Sequence, residues 1–156
     1  MEIEQTTGSV IAFVMNSIEM PGVVPYLWTV PEGYRTPSVY FEPDVTESHT
    51  LTLEAYRLDH TMYVQMFGRD VNEAVRMAQM AQVAICRRRH MVPVIDSDTN
   101  PTGDCLHMRQ ADVRVLSPEE ATAQLALAWR TSGWFDRNDP NAQKMIHLHL
   151  SVLTKE

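Results

Sequence analysis

Histidines are the side chains of this chain best placed to do chemistry. His147 and His149 alternate within Lys144 to Thr154, so a strand would carry both imidazoles on one face. A zinc site needs a third and usually a fourth ligand, and His107 is the one further histidine that could serve. Because nothing in the pattern brings His107 to the pair, the sequence favours a solvent-facing or interface strand. Metal binding is the alternative.

A second candidate site is the polar stretch from Asp96 to Asp104. Asp96, Asp98 and Asn100 match the opening of a calcium-binding loop, but Pro101 stands where the loop needs glycine. A histidine also replaces the bidentate glutamate at the end of that pattern. We therefore expect a polar hairpin turn here.

The two cysteines, Cys86 and Cys105, have no flanking signature of a catalytic nucleophile. Cys86 lies near the end of a predicted helix, not at a helix N-terminus that would stabilise a thiolate. We interpret both as structural, and their small number indicates a reducing compartment. The chain also lacks the phosphate-binding, dinucleotide-binding, hydrolase and zinc-protease motifs. The sequence thus predicts no enzyme, no cofactor and no metal.

Composition restricts the class of protein further. With 156 residues, 44% of them hydrophobic, the chain is long enough for one globular domain with its own core. We find no apolar run of about 18 residues and no signal peptide, so we expect no membrane partner. A net charge of −7 argues against general binding to a phosphate backbone. It leaves room for a small basic patch, or for a channel through which nucleic acid passes.

Periodicity predicts the elements that would position these residues. From Thr50 to Phe67 the chain alternates, which is typical of a long half-buried strand with every second side chain facing the core. Asp70 and Glu73 form a capping box, and an apolar face follows at helical spacing. The helix ends in three arginines, where its dipole favours positive charge; a basic patch facing a partner is the alternative reading of Arg87, Arg88 and Arg89.

The remaining elements complete an α+β domain with a mostly antiparallel sheet of about seven strands and two helices packed on it. Thr7 or Ser9 could cap a first helix over Val10 to Met20. Glu120 to Arg130 reads as helix or strand, and its regular alternation favours strand. We expect a loop from Thr131 to Gln143. The other predicted strands are Tyr26–Val30, Ser38–Glu42, Met91–Ile95, Leu106–Leu116 and Lys144–Thr154.

Two large aromatic residues, Trp134 and Phe135, fall in the predicted polar loop. They either fold back on the domain or anchor a partner, since aromatic residues are favoured interface hot spots. Tyr34 beside Arg35, in an earlier turn, poses the same alternative.

Taken in order, these features resemble the tail terminator (tail completion) proteins of long-tailed bacteriophages. A short helix precedes a proline-glycine loop, and a strand, a long strand and a capped helix follow. A chain-terminal strand ends the pattern. The segments that carry the resemblance are Val30–Tyr34, Pro37–Pro43, Tyr63–Gly68, the helix after Asp70 and Met145–Val152.

The resemblance implies a homo-oligomeric ring, typically a hexamer, that caps the tail tube at full length and stops its polymerisation. The implied partners are further copies of the chain, the major tail tube protein and the head-completion or connector protein. DNA would pass through the lumen only as cargo. The implied location is the tail or neck of the virion, after assembly in the host cytoplasm. No catalytic residues carry over from this family.

A ring needs head-to-tail contacts between two different surfaces of each subunit. Loops and edge strands are the natural places for such contacts. The predicted oligomer or tube interface consists of Tyr34, Arg35, Arg87, Arg88, Arg89, Asp96, Asp98, Asp104, Trp134 and Phe135. Two other functions fit the sequence: another neck or head–tail joining protein of the same virion, and a small enzyme or metal-binding module that uses His107, His147 and His149.

Overall fold

A computed structural model describes residues 3–135 of the chain. This part forms two helices and seven strands, in agreement with the predicted α+β class. Their bounds are α1 Ile3–Ser17, β1 Val24–Leu27, β2 Ser38–Phe41, β3 Val45–Thr50, β4 Ala55–Phe67, α2 Val71–Arg87, β5 Met91–Ile95, β6 Pro101–Ser117 and β7 Thr122–Trp134.

The strands form one sheet in the order β1-β2-β4-β7-β6-β5, and β3 pairs with β4 beside β2. The β1–β2 pair is parallel, and the other pairs are antiparallel. β4 and β7 pair over their whole length, from Ala55 opposite Trp134 to Phe67 opposite Thr122. This long pair is the central support of the domain.

The core lies between α2 and one face of the sheet. Alternation along β4 buries every second side chain from position 60 to position 66, and their partners on β7 are buried too. The apolar face of α2 covers them with Ala74, Met77, Ala78, Ala81 and Ile85. Removing large aliphatic side chains from water in this way contributes about 1.5–3 kcal/mol each.

The predicted start of α2 is confirmed. The Asp70 carboxylate accepts a hydrogen bond from the Glu73 N–H at 2.8 Å, and the Glu73 carboxylate accepts one from the Arg69 N–H at 3.1 Å. At the other end, Arg89 and His90 have φ of 55° and 61°, which turns the chain into β5. The left-handed pair fixes where the arginine-rich end of α2 points.

The first helix begins earlier than predicted, at Ile3, and ends at Ser17, so Thr7 and Ser9 lie inside it and cap nothing. Polar contacts with the end of β5 account for the error. The Gln5 side-chain amide donates to the Ile95 carbonyl at 3.1 Å, and the Ser9 hydroxyl accepts from the Ile95 N–H at 3.0 Å. Polar residues that looked like a cap are therefore the packed face of α1.

The strand predicted from Thr50 to Phe67 begins only at Ala55, and the residues before it form a turn and a separate strand. β3 ends at Thr50, residues 51–54 turn, and β4 begins at Ala55. β3 gave no pattern to detect because all six of its side chains are exposed. The strand predicted at Tyr26 to Val30 lies slightly earlier, at Val24–Leu27.

Two predicted loops are partly strand. Pro101 to Asp104 belong to β6, so the polar turn covers only residues 96–100. Thr131 to Trp134 belong to β7, where pairing with β4 overrides their turn-like composition. The strand favoured for Glu120 to Arg130 is confirmed, with its start at Thr122. The strand predicted for Lys144 to Thr154, with His147 and His149, lies outside the described residues. Within residues 3–135 no helix is long and apolar enough to cross a membrane.

Candidate interaction surfaces

The β4–β7 pair continues past the region that the helices cover, and β3 joins it there. We call this three-stranded extension the arm (residues 45–61 and 130–135). Within the described chain, the outer edge of β3 pairs with no strand, and neither does the outer edge of β7 after Trp129. The arm therefore offers two open edges that could accept a further strand.

Large apolar side chains are exposed on the arm. Trp134 is 71% exposed and Leu53 is 64% exposed, with Val45 and Leu51 also largely open to solvent. Leu51, Leu53 and Trp134 lie around the turn at the end of the arm, where Trp134 pairs with Ala55, whereas Val45 lies at the other end of β3, opposite Thr61. Apolar residues grouped around one turn mark interaction sites more often than scattered ones do, and tryptophan is a favoured hot spot. Trp134 is thus exposed, and its role as an interface anchor stays a prediction.

Phe135 behaves differently from its neighbour, because it folds back on the arm. Its ring lies 5.8 Å from that of Tyr56, and its N–H donates to the Glu54 carbonyl at 2.8 Å. The Tyr56 ring covers Gly133, the residue opposite it on β7. An aromatic ring over a strand glycine fills the space that a side chain would otherwise occupy.

A charge cluster on the other face ties the three strands of the arm together. Asp59 accepts a hydrogen bond from Arg130 Nε at 2.6 Å and lies 3.3 Å from Arg57 and 3.4 Å from His49. The hydrogen bond from Arg130 is the main cause that lowers the pKa of Asp59; desolvation opposes it, and the charges of Arg130, Arg57 and His49 lower the pKa further. Because the cluster is solvent-exposed, its contribution to stability is modest.

His60 marks the boundary between the arm and the core. It is fully buried and stacks on Trp129, with ring centroids 5.2 Å apart. Its Nε2 lies 2.9 Å from the Thr131 hydroxyl, while its Nδ1 lies 3.3 Å from the Thr46 hydroxyl and 3.4 Å from the Asp44 carboxylate. A buried imidazole with polar partners on three sides fixes the base of the arm to the body.

A groove runs between α1, α2 and β5 on the helical side of the sheet, with a volume of about 1170 Å³. We call it the helix groove; the residues that matter below are Phe13, Arg76, Met80, Val83, Arg87 and Arg88. The Arg88 guanidinium lies 5.7 Å from the centre of the Phe13 ring. No carboxylate of residues 3–135 lies within 4.0 Å of the three groove arginines.

The structure brings some of the predicted interface residues together. Arg87 and Arg88 line the helix groove, and so does Thr99 from the turn that follows β5. In that turn the Asp96 carboxylate accepts hydrogen bonds from the N–H groups of Asp98 and Asn100, both at 2.9 Å. The turn thus satisfies its own backbone, as predicted for a hairpin turn. Asp98, Asp104 and Arg89 are exposed.

Tyr34 and Arg35 lie apart from the other predicted residues, at the end of β4 opposite the arm. The Tyr34 ring is 4.7 Å from that of Phe67, the last residue of β4. The Arg35 N–H donates to the Tyr26 hydroxyl at 3.1 Å. Both side chains are exposed, so this turn presents a third surface.

Sequence reasoning missed the turn between β6 and β7, which we call the hairpin tip (residues 115–121). Val115 and Leu116 are 45% and 40% exposed, and Glu119 and Glu120 beyond them are exposed as well. Neither glutamate forms an ion pair within the described part of the chain. The sequence did carry a signal for this surface, namely two apolar residues followed by Ser-Pro and two glutamates. It was overlooked because the predicted strand ended at Leu116 and the turn after it was not considered as a surface. Arg76 and Val83 were missed for another reason, because neither belongs to the apolar face by which α2 was recognised.

The chemically capable residues do not gather into a site in residues 3–135. No three His, Cys, Asp or Glu side chains there converge as metal ligands would. Among the described residues the aromatic neighbour of His107 is His90, at 6.4 Å between ring centres. Cys86 and Cys105 are unbonded thiols at the surface.

Comparison with known proteins gives two relatives, both from Bacillus subtilis strain 168. The chain is 24% identical to the phage-like element PBSX protein XkdJ over 146 residues, which is 94% of this chain and 97% of that protein. It is 26% identical to the uncharacterized protein YqbJ over 137 residues, 88% of this chain and 90% of the relative. No protein-family model matches the chain. This α+β chain is thus similar, over nearly its whole length, to a protein of a phage-like element.

Proposed function

We propose that the chain is a bacteriophage virion structural protein that acts as a tail terminator. In this proposal, copies of the chain form a hexameric ring that caps the finished tail tube. The ring ends tube polymerisation and offers the surface to which the head connector joins. It carries out no catalysis and needs no cofactor, and DNA passes through its lumen.

The observation that carries the phage assignment is the similarity to the PBSX protein, which extends over 94% of this chain. A match of that extent concerns nearly the whole chain and not a short shared motif. The relative is a protein of a phage-like element, and the proposal extends that origin to this chain.

The terminator role draws its support from the distribution of surfaces. The arm, the helix groove and the hairpin tip are different surfaces of one subunit, and head-to-tail rings need unlike surfaces that meet. The arm also carries open strand edges and an exposed tryptophan, both suited to contact with another protein. Its open strand edges and the exposed apolar residues at its end make the arm our candidate for the contact with the tail tube.

Deletion of the gene from the phage tests the role directly. A terminator is required to stop tube growth, so we expect overlong tails in electron micrographs of lysates that lack it. Tails of normal length that fail to join heads would instead assign the protein to the neck, as a head–tail joining component.

Mixing purified protein with purified tail tubes tests the physical association. We expect a ring-shaped particle by light scattering and negative-stain imaging, or a monomer that assembles at one end of each tube. The test variant is Trp134→Ala, which removes the most exposed aromatic side chain of the arm and should weaken tube binding without unfolding the domain. A wild-type protein that stays monomeric and never binds tubes would refute the proposal.

A further inference from the structure

We propose that the helix groove of one subunit binds the hairpin tip of a second copy of this chain, so that the ring closes through this contact. The inference rests on the proposed function, since it names the two surfaces that meet within the ring.

The groove has the chemistry of a protein-binding site. Its volume of about 1170 Å³ exceeds the roughly 300–1,000 Å³ typical of small-molecule pockets. Exposed Val83 and half-buried Met80 and Phe13 give it an apolar floor. Around that floor lie Arg76 and the arginines at the end of α2, with Glu19 as the one acidic lining residue. An occupant that is apolar in part and acidic in part would match both features.

The hairpin tip has the complementary chemistry. It presents Val115 and Leu116 next to the carboxylates of Glu119 and Glu120. Such carboxylates pair well with arginine, whose planar guanidinium can bind an acid through two hydrogen bonds. The chain as a whole is acidic, with a net charge of −7, but the groove is locally basic. Its positive charge is complementary to the negative charge of the hairpin tip.

The two surfaces are separate within one subunit, as head-to-tail contact requires. The tip is held beside the start of α2, where the Gly68 N–H donates to the Ala121 carbonyl at 3.1 Å. The groove follows the same helix from Arg76, about 8 Å from its start, to Arg87, about 24 Å from its start, at 1.5 Å per residue. No ion pair joins tip and groove inside the described subunit. Each subunit can therefore give its tip to one neighbour and its groove to another.

Other occupants fit the groove less well. Nucleic acid would use the arginines but has no use for the apolar floor beside them. The arm has exposed apolar residues and three acidic ones, but Asp59 is engaged by Arg130 and Arg57, and Glu47 lies 3.9 Å from His49. Within residues 3–135 this leaves the arm one carboxylate without an ion pair, Glu54, against two adjacent ones on the hairpin tip. The unpaired carboxylates of the hairpin tip make it the better match.

Charge reversal in the full chain tests the contact. The groove variant Arg76→Glu/Arg87→Glu/Arg88→Glu and the tip variant Glu119→Arg/Glu120→Arg should each lose ring formation, in solution or on tail tubes. We expect an association constant at least about 100-fold lower, because like charges brought together cost several kcal/mol. A chain that carries both sets of reversals should recover rings. The control variants Arg109→Glu and Asp112→Arg change charge on exposed positions of β6 outside both surfaces and should form rings like the wild type.

A mixture of the two defective variants gives the sharpest readout. The native tip of the groove variant fits the native groove of the tip variant, and the reversed tip of the tip variant fits the reversed groove of the groove variant. Sedimentation should then show rings of alternating variants in the mixture and no rings in either variant alone. This outcome is particular to a head-to-tail contact between these two surfaces, and general destabilisation would not produce it.

Several results would overturn the inference. Ring formation by both the groove variant and the tip variant would refute the contact. If the groove variant alone failed to form rings, the groove would bind something other than the hairpin tip. Loss of binding to duplex DNA, with association unchanged, would assign the arginines to nucleic acid. The terminator role is tested separately by gene deletion. Tails of normal length would refute that role, whereas ring formation that is lost on single-surface charge reversal and restored by the double reversal would still support the contact.

Discussion

The two halves of the β4–β7 pair have the same backbone pairing but different surroundings. In one half, Met62, Val64 and Met66 lie opposite Leu127, Leu125 and Ala123, and all six side chains are buried beneath α2. In the other half, which belongs to the arm, Leu58 lies opposite Thr131 and Tyr56 opposite Gly133, without a helix above them. Regular strand pairing therefore does not decide whether a region is core or contact surface; the layer packed on it does.

The difference predicts that stability is concentrated in the half beneath α2. Leu127→Ala should lower the free energy of unfolding by about 2–5 kcal/mol, because it leaves a cavity in a packed core. Leu53→Ala, at the tip of the arm, should change it by less than about 0.5 kcal/mol, because that side chain is 64% exposed. Urea denaturation followed by circular dichroism measures both. Equal losses at the two positions would contradict the division into core and arm.

Glycines at the two ends of the pair sharpen the comparison. A Cβ at Gly68, just past β4, would lie 2.6 Å from the Ala74 backbone nitrogen, which belongs to the first turns of α2. Gly68→Ala should therefore cost about 1–3 kcal/mol, since the helix itself would have to shift. At Gly133 the obstacle is the Tyr56 hydroxyl at 2.5 Å, the far end of a side chain that can rotate away. Gly133→Ala should cost less than about 1 kcal/mol.

Thermal unfolding of the two alanine variants gives the readout for this pair. Gly8→Ala serves as the control, because a Cβ there meets nothing within 4 Å and the exposed helical position should gain about 0.5–1 kcal/mol. A larger loss at Gly133 than at Gly68 would show that the arm is held as rigidly as the core.

The smallest expected effect is a loss of stability of the arm at acidic pH. Arg130, with Arg57 and His49, lowers the pKa of Asp59 below its ordinary value of 3.8. The folded state thus binds a proton at Asp59 less readily than the unfolded state does. The stabilising contribution is fully present above pH 3.8 and is lost as the pH falls through the lowered pKa. Hydrogen exchange of arm amides should quicken in that acidic range, and Asp59→Asn should abolish the pH dependence there.

Helices and strands were predicted correctly where their own residues show the expected spacing or capping pattern. The alternation of β4 and the Asp70–Glu73 cap of α2 are local, because the pleat and the helix start impose them residue by residue. β3 escaped detection because no side chain of it is buried, so no alternation was needed. The end of β7 was read as loop because its Thr-Ser-Gly composition says nothing about the partner strand that orders it.

The interaction surfaces were harder to predict, because several distant segments build each of them. The three arginines at the end of α2 were recognised as a possible patch, and they do line the groove or lie beside it. Phe13 and Val83 complete that groove only once α1 packs beside α2. The split between Trp134 and Phe135 likewise depends on Tyr56, which lies nearly 80 residues earlier in the chain.

The open edge of β3 has a consequence for the supply of subunits. An unpaired edge rich in valine or isoleucine would recruit other strands indiscriminately and aggregate. This edge instead presents Glu47, Ser48 and His49 beside an exposed Val45, and its charge discourages casual pairing. Free chains should therefore stay in solution without edge-to-edge aggregation, which keeps subunits available.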